Sequence, residues 1–308
     1  QVRELSLEVA SLSREWPHWI SVDQEGGRVA RLRRPFTEWP PMMTLGRSGD
    51  PELAGDFASA LAAELRAAGV NLDYTPVLDI HTNSKNPVIG DRALGTTADV
   101  VAAFGAALIR KLHEGGIVAC GKHFPGHGDA DKDSHFDLPI VRKSMEELQA
   151  IELAPFADAC RNQIESLMTA HVAYPALDPK LPATLSEAIV TGLLRHQLGY
   201  DGVVFSDDLA MRAISDRYSV DEAAALAVRA GVDVLLFCHE IDKAAAAFEF
   251  LCAEAERDPV LRARVEESYR RVTELKRRYL TRFTGVAEND IIARLAELNH
   301  RKLLNELV

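Results

Sequence analysis

The sequence predicts a single-domain α/β protein of the TIM-type (β/α)8 barrel class, and three observations carry that expectation. Short, continuously apolar runs recur along the chain, a helical pattern follows each of them, and no Gly-rich phosphate loop interrupts the series. The runs cover 19–22, 72–78, 117–120, 166–170, 203–205 and 232–237. They are apolar at successive rather than alternate positions, as strands buried on both faces of a parallel sheet are.

The elements between them are punctuated. Residues 1–14 read as a helix with no strand ahead of it, so the first barrel strand is expected before residue 1, in a longer native sequence. Asp50-Pro51 offers an N-cap followed by Pro in the first turn, and Gly69 offers the stop. Ser144 with Glu147 and Ser219 with Glu222 have capping-box spacing, and Gly231 ends the latter helix. Six runs against the eight strands of a barrel leave one further short strand to be expected after residue 239. Residues 241–283 read as helical. A last amphipathic helix over 289–308 carries Ile291, Ile292, Leu295, Leu298, Leu303, Leu304 and Leu307 on one side. The predicted division is a barrel domain over 1–285 and a helix over 286–308 packed on the barrel or on a second subunit, the protein being a monomer or a homodimer.

Composition narrows the function. With 308 residues, 47% of them hydrophobic, the chain can bury a sizeable core. A net charge of −11 argues against a nucleic-acid partner, which would select a basic face. Cys120, Cys160, Cys238 and Cys252 are too scattered for a metal finger and suit a reducing compartment. No run is long enough to span a membrane and no signal-peptide pattern opens the chain, so a cytoplasmic location is expected.

Polar residues crowd where the apolar runs end, which in a barrel is the face that carries chemistry. Asp23-Gln24-Glu25-Gly26-Gly27-Arg28 follows the first run, with two glycines that would let backbone approach a ligand. Lys122-His123-Phe124-Pro125-Gly126-His127-Gly128 follows the third and leads to Asp133-Ser134-His135; His171 follows the fourth; Ser206-Asp207-Asp208-Leu209 follows the fifth. Each has a plainer reading. An aspartate at a strand end is more often a helix cap than a nucleophile, and Asp207 or Asp208 could cap a helix over 209–214. His123, His127 and His135 could bind a metal, but they stand on a Gly/Pro loop with no completing ligand spacing, so neither metal nor cofactor is expected.

Together these segments resemble glycoside hydrolase family 3, and within it the bacterial single-domain β-N-acetylglucosaminidases of peptidoglycan recycling. The stretches that carry the resemblance are 21–29, 86–92, 122–128 with 133–135, and 204–209, joined by 169–172 and 182–186. The resemblance implies a retaining exo-β-N-acetylhexosaminidase acting on a carbohydrate. Asp207 would be the nucleophile, His135 the acid/base and Asp133 its partner, while Asp23, Arg31, Arg92, Lys122 and His123 would hold the terminal sugar. The residue types suit these roles, since Arg forks and carboxylates match vicinal hydroxyls and imidazole exchanges protons near neutrality. The alternatives are a family 3 exo-glycosidase acting on another β-sugar and an inactive sugar-binding protein, against which the paired Asp133 and His135 argue. Whether water or phosphate accepts the sugar stays open.

Overall fold

A computed structural model of the chain describes residues 1–13, 15–280 and 300–307. Six parallel strands form one curled sheet: β1 (Ser21–Val22), β4 (Leu72–Asp73), β5 (Val118–Phe124), β6 (Ser166–Thr169), β7 (Val203–Asp208) and β8 (Val234–Leu236), hydrogen-bonded in that order. All six fall on the apolar runs. Their register steps around the sheet through Ser21 beside Leu72, Leu72 beside Val118, Cys120 beside Ser166, Leu167 beside Val204 and Phe205 beside Val234. No pairing joins β8 back to β1 among the described residues, so the eight-stranded closed barrel is replaced by a six-stranded open curl. The strand sought after residue 239 is not found among the described residues, where Ile241–Arg257 and Pro259–Tyr279 are helices.

Those two helices divide the expected 241–283 segment at Asp258, whose carboxylate caps the second one by accepting from the Val260 and Leu261 N–H groups. Asp50, Ser144 and Ser219 each accept from a backbone N–H of the helix that follows, and Gly69 and Gly231 end their helices with left-handed backbone, as the punctuation predicted. A short helix occupies Arg212–Ser215 rather than starting at 209. At the C-terminus, Arg301–Leu307 is helical, with Leu307 buried and Leu303 and Leu304 packed against the main core. Ile291, Ile292, Leu295 and Leu298 lie outside the described residues.

The sequence pattern missed one element: an antiparallel hairpin of β2 (Gln24–Gly26) and β3 (Val29–Ala30). Its first strand is polar and its second is two residues long, so the alternation that marks a hairpin is lacking; the Gln24 side chain supplies further bonds, accepting from the Arg31 and Leu32 N–H groups and donating to the Leu32 carbonyl. Gly26 and Gly27 serve this turn with φ of 109° and 55°, and a Cβ on Gly26 would meet the Pro40 oxygen at 2.7 Å. Their freedom serves the turn and the close packing on Trp39–Pro41.

Two cores hold the strands in place. One lies between sheet and helices; the other, on the inner side, collects Leu72, Val118, Cys120, Met168, Val203 and Phe205 with Leu275 from the helix Pro259–Tyr279. That helix is also pinned to the start of β8 by the fully buried Asp233, which takes Arg195 and Arg264 at 2.6 Å each and the Ser268 hydroxyl at 2.7 Å. The strand ends that carry the polar clusters are thereby held from below.

Candidate active site

Asp23 follows β1, Lys122 and His123 sit near the end of β5, His171 follows β6, and Asp207 and Asp208 end β7. The densest contact among them is an ion network centred on Lys122, whose side chain is 2% exposed. Its ammonium lies 2.6 Å from Asp23 and 2.6 Å from Glu25, and Arg92 binds Glu25 through two 2.8 Å bonds from Nε and Nη2. Burial would push the Glu25 carboxyl up, but Lys122 and Arg92 outweigh it and hold the pKa at about 2. Burial likewise works against the Lys122 ammonium, and Glu25 with Asp23 more than offset it, raising its pKa above the usual lysine range. Asp23 keeps 35% of its side chain exposed and is the network's outward-facing carboxylate. Removing Lys122 leaves the buried Glu25 with Arg92 as its remaining cation and strips Asp23 of its partner, so Lys122→Ala should lower stability by about 1–3 kcal/mol, read by chemical denaturation. A loss under about 1 kcal/mol would show that water reaches Glu25 freely.

A second network binds the Gly/Pro loop to the sheet. Asp79 accepts from the His123 ring Nδ1 at 2.7 Å and from the His127 backbone N–H at 2.5 Å. Burial would raise Asp79, but His123 and His127 overcome it and keep the carboxyl ionised. Nδ1 being taken, Nε2 of His123 has no hydrogen-bond partner among the described residues. His127 is buried with Nε2 at 3.3 Å from the Ser134 hydroxyl. Burial pushes its pKa from the ordinary 6.5 down to about 4, and His171 shifts downward for the same reason. Both rings are neutral in the fold, while the unfolded chain would protonate them. Stability should therefore fall as pH drops from 6.5 toward 4, with His127 alone contributing on the order of 3 kcal/mol. Thermal melts across that range test this, and His127→Gln should flatten the slope.

The adjacent aspartates of β7 have different environments. Asp208 is occupied: its Oδ1 accepts from Ala210 N–H at 2.9 Å and Cys238 N–H at 3.3 Å, and its carbonyl accepts from His171 Nε2 at 2.9 Å. Asp207 accepts one hydrogen bond among the described residues, from the Asp208 N–H at 2.8 Å. Burial favours its neutral form, but His171, His123 and that N–H prevail, so Asp207 stays ionised below its usual range. His171 is itself fixed by Thr184 at 2.8 Å.

Asp133 and His135 form their expected pair, Nδ1 to Oδ1 at 2.7 Å, and the same oxygen accepts the His135 backbone N–H at 2.8 Å. His135 is 62% exposed and bonds to no member of the Lys122 network among the described residues. Its loop reaches the Asp207 strand end through the Ala213 N–H, which donates to the Ser134 carbonyl at 3.2 Å. Arg31 stands exposed, outside both networks; among the described residues its backbone N–H is engaged by Gln24. Glu25 and Asp79, which no sequence signal assigned a role, are the buried centres of the two networks. Apart from these residues, a cleft of about 600 Å³, lined by Glu165, Gly202 and Tyr279, opens at the start of β6 and β7. Among the described residues, no three His, Cys, Asp or Glu side chains are grouped as metal ligands, and no helix is long and apolar enough to cross a membrane.

A strand–helix fold with an ionised aspartate, an Asp–His pair and a clamp of arginine, lysine and carboxylates at its strand ends has the make-up of a glycoside hydrolase. The chain belongs to glycosyl hydrolase family 3, whose N-terminal domain model matches residues 1–275. It is 41% identical over 249 residues to the Beta-hexosaminidase of Neisseria meningitidis serogroup C, covering 79% of this chain and 68% of that relative. To the Beta-hexosaminidase of Nitrosomonas eutropha it is 42% identical over 250 residues, covering 79% of this chain and 71% of the relative. The solved structure of a glycoside hydrolase family 3 beta-N-acetylglucosaminidase from Paenibacillus superposes with a TM-score of 0.91 at 42% identity over 96% of this chain. The chain spans 60% of that protein's length.

Proposed function

We propose that the chain is a retaining exo-β-N-acetylhexosaminidase that removes terminal β-linked N-acetylglucosamine, with the muropeptides of cell-wall recycling as its natural substrates. The observation that carries this reading is the contrast at the end of β7: Asp208 is committed to backbone N–H groups, whereas Asp207 is ionised and open to a ligand. The relatives' names, Beta-hexosaminidase and beta-N-acetylglucosaminidase, agree with it.

In this mechanism, Asp207 attacks the anomeric carbon as the glycosidic C–O bond breaks, and His135 Nε2 gives its proton to the leaving oxygen. Asp133, bonded to Nδ1, keeps Nε2 outward and stabilises the imidazolium that the resting acid requires. Water then attacks the glycosyl ester, His135 takes the water's proton, and Asp207 is released as carboxylate. Asp23, Lys122, Arg92, His123 and Arg31 bind the hydroxyls and acetamido group of the terminal sugar. No cofactor enters any step. Residues 1–285 form the catalytic domain and 286–308 an appended segment whose helix packs on it; the free cysteines suit a reducing, cytoplasmic compartment. Two displacements at carbon preserve configuration, so the first product seen by NMR should be the β-anomer. An α-anomer would replace this mechanism with a single displacement by water.

A further inference from the structure

We propose that Phe136 is the platform for the leaving group: its ring stacks on the second sugar of a β-linked disaccharide, a specificity role that rests on His135 being the proton donor. Phe136 is 68% exposed, whereas among the described residues the other large exposed apolar side chains lie at 2–12 and 241–269, in or beside helices. A lone exposed apolar side chain needs no explanation by itself; its position next to His135 and the rigidity of its backbone single this one out.

The Phe136 N–H donates to the Asp133 carbonyl at 3.0 Å, and the Asp137 N–H donates to the same oxygen at 3.1 Å. The Asp137 carboxylate takes Lys132 at 2.5 Å and Arg217 at 2.7 Å, and accepts from the Leu138 N–H at 2.8 Å. The backbone on either side of Phe136 is thus tied down, and the nearest cations are already paired. What the turn presents beside His135 is an uncharged aromatic face.

Geometry supplies the ligand. A proton donor sits about 3 Å from the oxygen it protonates, and consecutive Cα atoms are about 3.8 Å apart. The ring bonded to the glycosidic oxygen therefore falls within reach of the Phe136 side chain. A pyranose has an apolar face of C–H groups, and an aromatic ring offers rigid apolar area at small entropic cost.

The test compares N,N′-diacetylchitobiose with methyl β-N-acetylglucosaminide. Both need a protonated alkoxide leaving group, but only the first has a second ring. Covering one face of a phenyl ring is worth about tenfold, so Phe136→Ala should lose about tenfold in kcat/KM on the disaccharide and less than about twofold on the methyl glycoside, while Phe136→Tyr keeps both. Equal losses on the two substrates, or none on either, would overturn the platform and leave the hexosaminidase reading standing. A wild-type protein that releases N-acetylglucosamine from neither substrate would overturn both.

Discussion

Asp207→Asn should lower kcat by roughly 10⁴-fold or more, the scale seen when a nucleophile is removed from a covalent mechanism, with circular dichroism and melting temperature unchanged. The β7 geometry explains why the fold should survive: Asp207 accepts a bond only from the neighbouring N–H among the described residues. Asp208→Ala should do the reverse. It would orphan the Ala210 and Cys238 N–H groups, cost about 1–3 kcal/mol of stability, and reduce activity only through the displaced strand end. Steady-state kinetics with a melt for each variant separates the two. An Asp207→Asn enzyme with near wild-type kcat would transfer the nucleophile's role to Asp208.

His135→Ala should give the second large effect, and its size should depend on the substrate. Assistance by a general acid is worth about 10² to 10⁴-fold where the leaving group needs a proton. The variant should therefore fail badly on a disaccharide and retain far more of its rate on an activated aryl glycoside. Asp133→Asn should follow the same trend more weakly, since the ring remains but loses the anion that fixes its tautomer at 2.7 Å. Plotting kcat/KM against leaving-group pKa for the wild type and both variants tests this. Parallel losses along the whole series would make His135 a binding residue and place the proton donor elsewhere.

The parts of this molecule that could be read from sequence are those whose cause is local. Each of the six strands announced itself, because a strand covered on both faces is apolar at every position. The caps at Asp50, Ser144 and Ser219 were visible because cap and partner lie within three residues. The hairpin over 24–30 was invisible because its order comes from one glutamine side chain rather than from alternation. Asp79 directly follows the run 72–78 but stands alone before the apolar Ile80 rather than in a polar cluster, and its partners His123 and His127 are more than forty residues away in sequence. Glu25 lay in plain view inside a recognised motif, yet its role depends on Lys122 and Arg92 arriving from two other segments. The expected barrel closure had no such local cause; it came from the class of fold, and the described strands do not supply it. Arg31 was assigned by motif alone, and its exposed position leaves that role to be tested with the sugar bound.

The charge count of the Lys122 network has a consequence for what can bind beside it. Two cations, Lys122 and Arg92, face two carboxylates, Asp23 and Glu25. The neighbouring Asp73 is fully buried, and that burial drives its carboxyl toward the neutral form. Within itself the cluster is thus charge-balanced, a set of strong opposed dipoles, with the ionised Asp79 and Asp207 acting on Arg92 and Lys122 from beside it. An ionic ligand would gain little long-range attraction there and would lose its hydration, whereas a sugar's hydroxyls can bridge the opposed charges as donor to one and acceptor from the other. Capture at this subsite should be short-ranged and nearly indifferent to ionic strength, despite the chain's overall negative charge.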